Sequence, residues 1–398
     1  MNKRDILEIK RRFTKKDCTF NRIRGCYVNT EKEKMVNINE TFLNLDDEVF
    51  YKYLEIAKKT LSGTVDNNLL ELEICYDENN KNEFQEFLLK LRDCDIQDDE
   101  LAERFYDHII ETYSYPGNYL ILLFHDSYDV MVKTTDNMKL DESEEVYKYL
   151  VCAICPVNLA KPALSYYSVE NKIDSRVRDW IVGVPDNGFI FPAFTDRSTD
   201  IHNMMYYTKD ANSPKSDFME EGLFCKPRQT ANEQKEIFAD TVVSAAVGED
   251  DEELGEKVLM DLQQGLKDMV VYREEIEDNN IDPILLTSEN IKAALDDYEY
   301  SDNVKEKVEN ALVDIFDNNP PNASLMIDNK ALIAHEQKVK EQNLVKEVCD
   351  LKKQLNVGST LENVLNTDDI LIKATAEGMS QISTTQIDGR ECLVIPIR

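Results

Sequence analysis

Two long apolar runs restrict the folds open to this chain more than any other feature of its sequence. They are NYLILLFHDSYDVMV at 118–132 and VYKYLVCAICPV at 146–157. Apolar stretches that do not alternate with polar residues are typical of strands covered on both faces. The sequence therefore predicts a sheet that contains both runs and carries other elements on each of its sides.

The segments around these runs supply further strands and helices. Residues 20–45 predict a β-hairpin, residues 68–76 a strand, and residues 179–194 two short strands around the turn-forming Pro-Asp-Asn-Gly. Amphipathic patterns predict helices at 3–13, 46–63, 81–92 and 98–113. We therefore expect an α+β fold, in which helices pack on a mixed β-sheet.

The character of the chain changes near residue 229. Amphipathic helical segments follow one another, and residues 251–300 carry 15 acidic against 4 basic residues. The end of the chain predicts a helix and a small antiparallel meander, whose last hairpin turns at Asp388-Gly389. We expect three domains, a mixed-sheet domain at 1–228, an acidic helical region at 229–320, and a helix plus meander at 321–398.

The charge of the chain limits its partners. A formal net charge of −32 over 398 residues repels phosphate backbones, so bare nucleic acid is an unfavourable partner. An acidic helical surface can instead bind a basic protein, or imitate nucleic acid toward one. Residues 1–34 are locally basic, with 11 basic against 5 acidic residues, and the basic residues 3–34 could dock onto a ribonucleoprotein. The plainer alternative is solvated helix faces without a specific partner.

The cysteines and the apolar segments indicate the compartment. Nine scattered cysteines do not form a disulfide framework, which favours a reducing environment. The first residues are basic but no continuous apolar segment follows them, so they do not predict a signal peptide. The sequence contains no run of about 18 apolar residues, so it predicts no membrane span. We expect a cytoplasmic protein with no membrane association.

One candidate site follows the apolar residues of GFIFPAFTDRSTDIH at 188–202. Asp196, Arg197, Asp200 and His202 come after a predicted strand, and strand ends are where α/β proteins bind ligands. Asp and His could hold a metal, or His202 could act as a general base. Alternatively, Asp196 and Arg197 cap the sheet and a helix covers IHNMMYYT at 201–208.

A second candidate site lies at the exit of the most apolar strand, in FHDSYDV at 124–130. His125, Asp126 and Asp129 offer donors and acceptors there. If this strand lies beside 181–194, the two polar clusters converge at one edge of the sheet. The alternative is an ordinary turn in which an aspartate caps the next residues.

The pair Cys152 and Cys155 is the third candidate. A lone CxxC can be a redox dithiol or half of a zinc site. This pair lies inside a β-type run, where its two side chains would point to opposite faces. A structural role is therefore favoured.

The sequence lacks the usual catalytic motifs. It contains no G-x-S-x-G, no GxxxxGK[ST], no GxGxxG and no HExxH. We therefore favour a non-enzymatic binding or regulatory protein that acts through charged surfaces. The alternative is a metal-assisted hydrolase that uses the Asp and His clusters. The sequence names neither a cofactor nor a metal.

Several distinctive strings occur in a recognisable order, among them RRFTKKDCTFNRIRGCYVN, YPGNYLILLFHDSYDV, CPVNLAKPALSY, GFIFPAFTDRSTDIHNMMYYTK and IDGRECLVIPI. This set resembles an uncharacterised bacterial domain-of-unknown-function family of the Clostridia type. The resemblance covers most of residues 1–210 and the closing string. It implies a cytoplasmic bacterial protein and brings no known activity, cofactor or catalytic residue.

Overall fold

The computed structural model of the chain describes residues 1–77, 81–133, 139–246, 252–276, 283–316, 320–357, 363–367, 370–374, 382–387 and 390–394. The chain divides into two compact units. The first consists of Met1–Ser244 and Ala311–Met326, and the second of Ala245–Asn310 and Ile327–Arg398. The three-domain boundaries expected from the sequence stay a prediction.

The strands of the first unit are β1 (Arg22–Val28), β2 (Lys34–Thr41), β3 (Leu69–Glu73), β4 (Asn118–Lys133), β5 (Lys139–Leu159), β6 (Leu164–Tyr167), β7 (Lys172–Ser175), β8 (Trp180–Val182), β9 (Asn187–Phe191), β10 (Ala193–Thr195), β11 (Ser198–Asp200) and β12 (Asn203–Thr208). Among the described strands, eight form one sheet in the order β2-β1-β4-β5-β9-β12-β3, and β8 pairs with β5 beside β9. The pairs β6-β7 and β10-β11 form separate ribbons.

The helices are α1 (Lys3–Arg12), α2 (Asp47–Lys59), α3 (Glu83–Asp93), α4 (Asp99–Thr112), α5 (Ala231–Ala246), α6 (Glu252–Ile276), α7 (Ser288–Asp296), α8 (Asp302–Phe316), α9 (Ala323–Met326) and α10 (Asn329–Val357). With the large sheet they give the α+β fold that the sequence predicts. None of the helices in the described part of the chain combines the length and the apolarity that a membrane crossing requires.

The sheet is covered on both faces, as its two apolar runs predict. On one face, α3 and α4 pack over a core that includes Leu123 and Cys152. On the other face, α1 and α2 pack over a core that includes Leu122 and Cys155. Alternate residues of β4 and β5 thus enter different cores, because successive side chains of a strand point to opposite faces.

The expected mixed sheet is wrong, because each pairing described within the large sheet is antiparallel. β1 follows directly into β2, and β4 into β5, and adjacent antiparallel strands need only short connections. The apolar runs reflect coverage on both faces, which an antiparallel sheet reaches when helices pack on each side. Continuous apolar character therefore does not report strand direction.

The alternative helix over IHNMMYYT is also wrong. Residues 203–208 form β12, which lies between β9 and β3. Met204 and Tyr206 enter the core under α3 and α4, whereas Met205 and Tyr207 enter the opposite core. Four consecutive large side chains are buried because a central strand has two covered faces.

The segment Pro185-Asp-Asn-Gly188 does not reverse the chain. β8 and β9 both pair with β5, with Val182 opposite Val157 and Asn187 opposite Ile154. The residues between them interrupt a single edge, so the expected tight turn is wrong. The interruption sets β8 apart from the rest of the sheet.

In the second unit, α6 and α7 approach each other closely. A Cβ atom on Gly265 would lie 2.1 Å from the carbonyl oxygen of Ala294, so this crossing requires glycine. β13 (Asn363–Thr367) pairs with β14 (Ile370–Ala374), and β15 (Ser383–Ile387) with β16 (Arg390–Val394), both antiparallel. The predicted turn at Asp388-Gly389 lies outside the described residues.

Candidate functional site

Asp126 lies at the centre of a buried polar network on the α1 side of the sheet. Its carboxylate accepts hydrogen bonds from Tyr149 Oη at 2.5 Å and from Thr19 Oγ1, and it lies 3.4 Å from Arg12 Nη2. Burial raises the pKa of Tyr149 well above its ordinary range, and the neighbouring Asp126 raises it further. Burial alone would lower the pKa of Arg12, but Asp126 and Tyr149 raise it above its ordinary value. The network therefore holds a charged guanidinium and a neutral phenol, and it fixes α1 to β4 and β5.

Helix α1 also connects the two polar clusters that the sequence singles out. The Arg12 guanidinium carbon lies 4.2 Å from the centroid of the Tyr128 ring, and Tyr128 Oη donates to Glu8 Oε1 at 2.8 Å. Arg197 Nη1 lies 3.0 Å from the same Glu8 oxygen. The structure thus brings Tyr128 of FHDSYDV and Arg197 of GFIFPAFTDRSTDIH together across the carboxylate of Glu8.

His125 lies on the opposite face of the sheet from Asp126. Its Nε2 lies 3.3 Å from Asp95 Oδ1, and Lys148 Nζ lies 3.8 Å from the same oxygen. Neither ring nitrogen has a hydrogen-bond partner within the described part of the chain. Burial lowers the pKa of His125 below its ordinary value of 6.5, while Asp95 opposes the shift. The folded protein therefore favours a neutral imidazole here.

Asp196 and Arg197 are the two central residues of a tight hairpin turn. They follow Thr195, which pairs with Ser198, and both adopt positive φ angles, 49° and 64°. Two-residue hairpin loops with positive φ at both positions match the twist of the flanking strands. These two residues therefore turn a separate ribbon and do not cap the large sheet.

Asp200 and His202 lie near Tyr76, away from the Asp126 network. The Asp200 carboxylate accepts from the backbone N–H of His202 at 3.0 Å and from Asn203 Nδ2 at 2.7 Å. His202 Nδ1 lies 2.7 Å from Tyr76 Oη, and Tyr76 Oη accepts from Gln85 Nε2 at 2.9 Å. These contacts order the turn that leads into β12.

The structure thus distributes the seven candidate residues over several environments. Asp129 is exposed on β4 opposite Val146, and the other six lie in the places described above. Across the described ranges, no three His, Cys, Asp or Glu side chains gather in a way that could hold a metal ion. The catalytic assignment of these residues stays a prediction, for His125, Asp126, Asp129, Asp196, Arg197, Asp200 and His202.

The CxxC pair lies as the sequence predicts. Cys152 packs into the core under α3 and α4, and Cys155 into the opposite core. Burial raises the pKa of both thiols above their ordinary range, which disfavours the reactive thiolate. The two side chains act as small apolar residues of β5.

Sequence reasoning missed an apolar groove on the α2 side of the sheet. The groove has a volume of about 1050 Å³ and lies between α2 and the segment 182–185, with Leu120 of β4 also lining it. Its apolar and aromatic lining residues include Val49, Tyr51, Tyr53, Ile56, Leu120, Val182, Val184 and Pro185. Charged residues of both signs, Glu48, Lys52, Glu55 and Lys59, line it as well.

Strand β8 borders this groove with an open backbone edge. Ala160 N donates to Asp179 O and Gly183 N donates to Pro156 O, both at 2.8 Å, so these alternate residues face β5. Trp180 and Val182 then direct their backbone groups to the other side, because strand residues alternate in this respect. No described strand pairs with that side of β8. The Trp180 side chain, on the only tryptophan of the chain, is 58% exposed.

The ribbon β6-β7, which precedes β8, exposes more apolar surface. Tyr166 lies opposite Ile173, and both side chains are exposed, as is Leu164 on the same face. Val169 at the tip is 98% exposed. An isolated two-stranded ribbon is marginally stable in water, and exposed apolar patches mark interaction sites. The alternation of apolar and polar residues from Leu164 to Tyr166 is the sequence signal that could have predicted this ribbon.

The comparisons with known proteins add a family but no relative. The model of a domain of unknown function, DUF4317, matches residues 1–398. No curated protein and no solved structure matches the chain.

Proposed function

The chain belongs to the DUF4317 family, a domain of unknown function, and we propose a function for it from the features of its surface. The protein is a non-enzymatic binding protein that takes up an extended apolar segment of a basic protein partner. We call the binding region the docking surface and define it as β8, the groove residues of α2, and Leu120. The observation that carries the proposal is the open edge of β8 beside an apolar groove.

The edge of β8 supplies the main-chain part of this recognition. A partner strand laid along it would exchange hydrogen bonds with the outward backbone groups of Trp180 and Val182. Alternate side chains of that strand would point to the face of the sheet that carries the groove, where Val182 and Leu120 lie. Backbone pairing would supply affinity, and the groove would select apolar side chains.

The charge of the chain supplies the preference for a basic partner. A net charge of −32 attracts basic proteins at long range and speeds their encounter. The groove itself carries charges of both signs, and Lys52 Nζ pairs with Glu55 Oε2 at 3.0 Å. Long-range attraction would therefore speed the encounter with a basic partner, and short-range apolar contact in the groove would select its side chains.

The basic N-terminal residues support this choice over a ribonucleoprotein. Several of their cations face acidic or carbonyl groups of the protein itself. Arg12 lies beside Asp126, Arg24 donates to Gln97 O at 2.6 Å and pairs with Asp99, and Lys34 pairs with Glu103 and Asp107. These pairings reduce the positive charge that residues 3–34 could offer to RNA.

A peptide-binding experiment tests the proposal. The probe is a fluorescein-labelled nine-residue peptide of alternating valine and lysine, and the readout is fluorescence anisotropy at low and moderate salt. We expect binding that weakens with salt, because salt screens exposed charges. We also expect Val182→Glu to weaken binding at least about tenfold, a change of about 1.4 kcal/mol.

The matched control is Val271→Glu on α6. Val182 and Val271 are 42% and 43% exposed, so the two substitutions add the same charge at equally exposed valines. The same peptide with alternate backbone N-methyl groups tests the edge, because it cannot pair with β8. Equal binding to both variants, or full binding of the methylated peptide, would contradict the proposal.

We also propose that the protein acts in the cytoplasm of a bacterium. The buried thiols of Cys26, Cys152, Cys155 and Cys225 support a reducing compartment, since they pack as apolar side chains. A pull-down from the native cytoplasm with and without ribonuclease distinguishes a protein partner from a ribonucleoprotein. Capture that Val182→Glu abolishes and ribonuclease leaves intact is the expected result.

A further inference from the structure

Helix α10 of the second unit has a long exposed segment. All residues from Glu336 to Leu351 are exposed, which corresponds to about 24 Å of helix at 1.5 Å per residue. The helix contains neither glycine nor proline between Asn329 and Val357. Isolated helices are marginal in water, and most helices in proteins gain their stability from packing. We therefore expect this exposed segment to be stabilised by packing against a partner.

The apolar residues of the segment lie at coiled-coil spacing. Leu344, Val348 and Leu351 are separated by four and three positions, and Leu355 continues the spacing in the sequence. They occupy the d, a, d and a positions of a heptad, which form the contact stripe of a two-stranded coiled coil. Leu344 is 60% exposed, and about half of the Val348 and Leu351 side chains is exposed.

We propose that this stripe pairs with the same stripe of a second copy of the chain, in a parallel two-stranded coiled coil. The charges of the segment favour a second copy of the chain as the partner. Residues 336–354 hold five lysines and four acidic residues, whereas the whole chain has a net charge of −32. This segment is thus nearly neutral, and two copies of it can approach without the repulsion that separates two acidic surfaces.

The order of these charges selects the parallel arrangement. With Val348 at a, Glu347 occupies position g and Lys352 the following e position. In a parallel in-register pair, a g residue of one helix lies near the next e residue of the other. In the proposed dimer, the heptad position of Glu347 in one copy would face that of Lys352 in the other. The symmetry of the dimer would form this pair twice. Because the apolar stripe covers about two heptads, the pair is expected to dissociate on dilution.

The first experiment measures the mass of the full chain by analytical ultracentrifugation over a wide range of concentration. We expect a reversible transition from 46.0 kDa to twice that mass. Val348→Glu places a charge at the centre of the stripe and should abolish the dimer. Val339→Glu is the matched control, because Val339 is exposed at an outward f position of the same helix. Monomer at every concentration, or a dimer that survives Val348→Glu, overturns the proposal.

A second experiment tests the parallel register by disulfide formation. The background is Cys349→Ser, since Cys349 is exposed beside the stripe. Leu351→Cys places two thiols across the interface of a parallel pair and should give a cross-linked dimer under mild oxidation. Lys346→Cys at an outward position should not. Cross-linking of both variants to the same extent, or of neither, overturns the parallel pairing, while circular dichroism confirms that each variant is folded.

Discussion

His125 Nε2 lies 3.3 Å from Asp95 Oδ1 in the middle of β4, and neither ring nitrogen of the histidine is hydrogen-bonded within the described residues. Asp95 follows α3 and adopts a positive φ of 52°. A buried polar group without a partner costs free energy, and non-glycine residues rarely occupy positive φ. The fold therefore carries a local cost in free energy at this pair. The protonation of His125 should change the free energy of unfolding of the protein.

Acid should destabilise the protein through His125. Burial lowers the pKa of this histidine in the folded state below the 6.5 of an unfolded chain. Its contribution is then fully present above about pH 6.5 and is lost as the pH falls, because the unfolded chain binds the additional proton. We expect His125→Leu to flatten the stability profile below pH 6.5 in urea unfolding. His335→Leu, at a partly exposed histidine of α10, is the control, and equal profiles for both variants would contradict the assignment.

Asp126→Asn should destabilise the first unit strongly. The substitution leaves the largely buried Arg12 guanidinium without its carboxylate, and breaking a buried ion pair by removing one partner costs about 3 kcal/mol or more. The measurement is the free energy of unfolding in urea. Asp129→Asn is the control three residues along β4, where an exposed substitution should change stability by less than about 0.5 kcal/mol. Similar losses for the two variants would show that the network does not stabilise the fold.

Gly265→Ala should destabilise the second unit. Its new Cβ atom would lie 2.1 Å from the carbonyl oxygen of Ala294, so α6 and α7 would have to separate. Overpacking of this kind costs about 1–3 kcal/mol, which outweighs the gain in helix propensity of about 1 kcal/mol. Hydrogen exchange of α7 reports the separation. Gln264→Ala, at the preceding residue of α6, should leave α7 protected, and a stabilised Gly265→Ala variant would contradict the close packing.

The sequence predicts most of the strands and helices because their causes are local. The apolar runs of β4 and β5 follow from coverage on both faces, which period-based reasoning detects. The direction of neighbouring strands is not local, and the same runs fit parallel and antiparallel sheets. The segment 203–208 shows the limit in another way, since Met204-Met205-Tyr206-Tyr207 has no alternation and only its neighbours β9 and β3 make it a strand.

The candidate site shows a similar division. Asp126 and Arg197 are visible in the sequence as polar residues after apolar strands. Their partners Arg12 and Glu8 are 114 and 189 positions away, so no local pattern connects them. The docking surface was missed because it joins α2 to β8, and the apolar residues of each are unremarkable until the fold places them beside one groove.

Trp180 should report occupation of the docking surface directly. It is the only tryptophan of the chain and is 58% exposed on β8, so the intrinsic indole fluorescence comes from this position alone. In the free protein we expect ready quenching by acrylamide. A peptide paired along β8 would cover the indole, so its emission should shift to shorter wavelength and quenching should decrease. The alternating valine–lysine peptide is the probe, and Val182→Glu is the control in which both changes should be lost. Binding by anisotropy without any change at Trp180 would place the peptide elsewhere on the protein, since a strand added to this edge cannot leave the indole untouched.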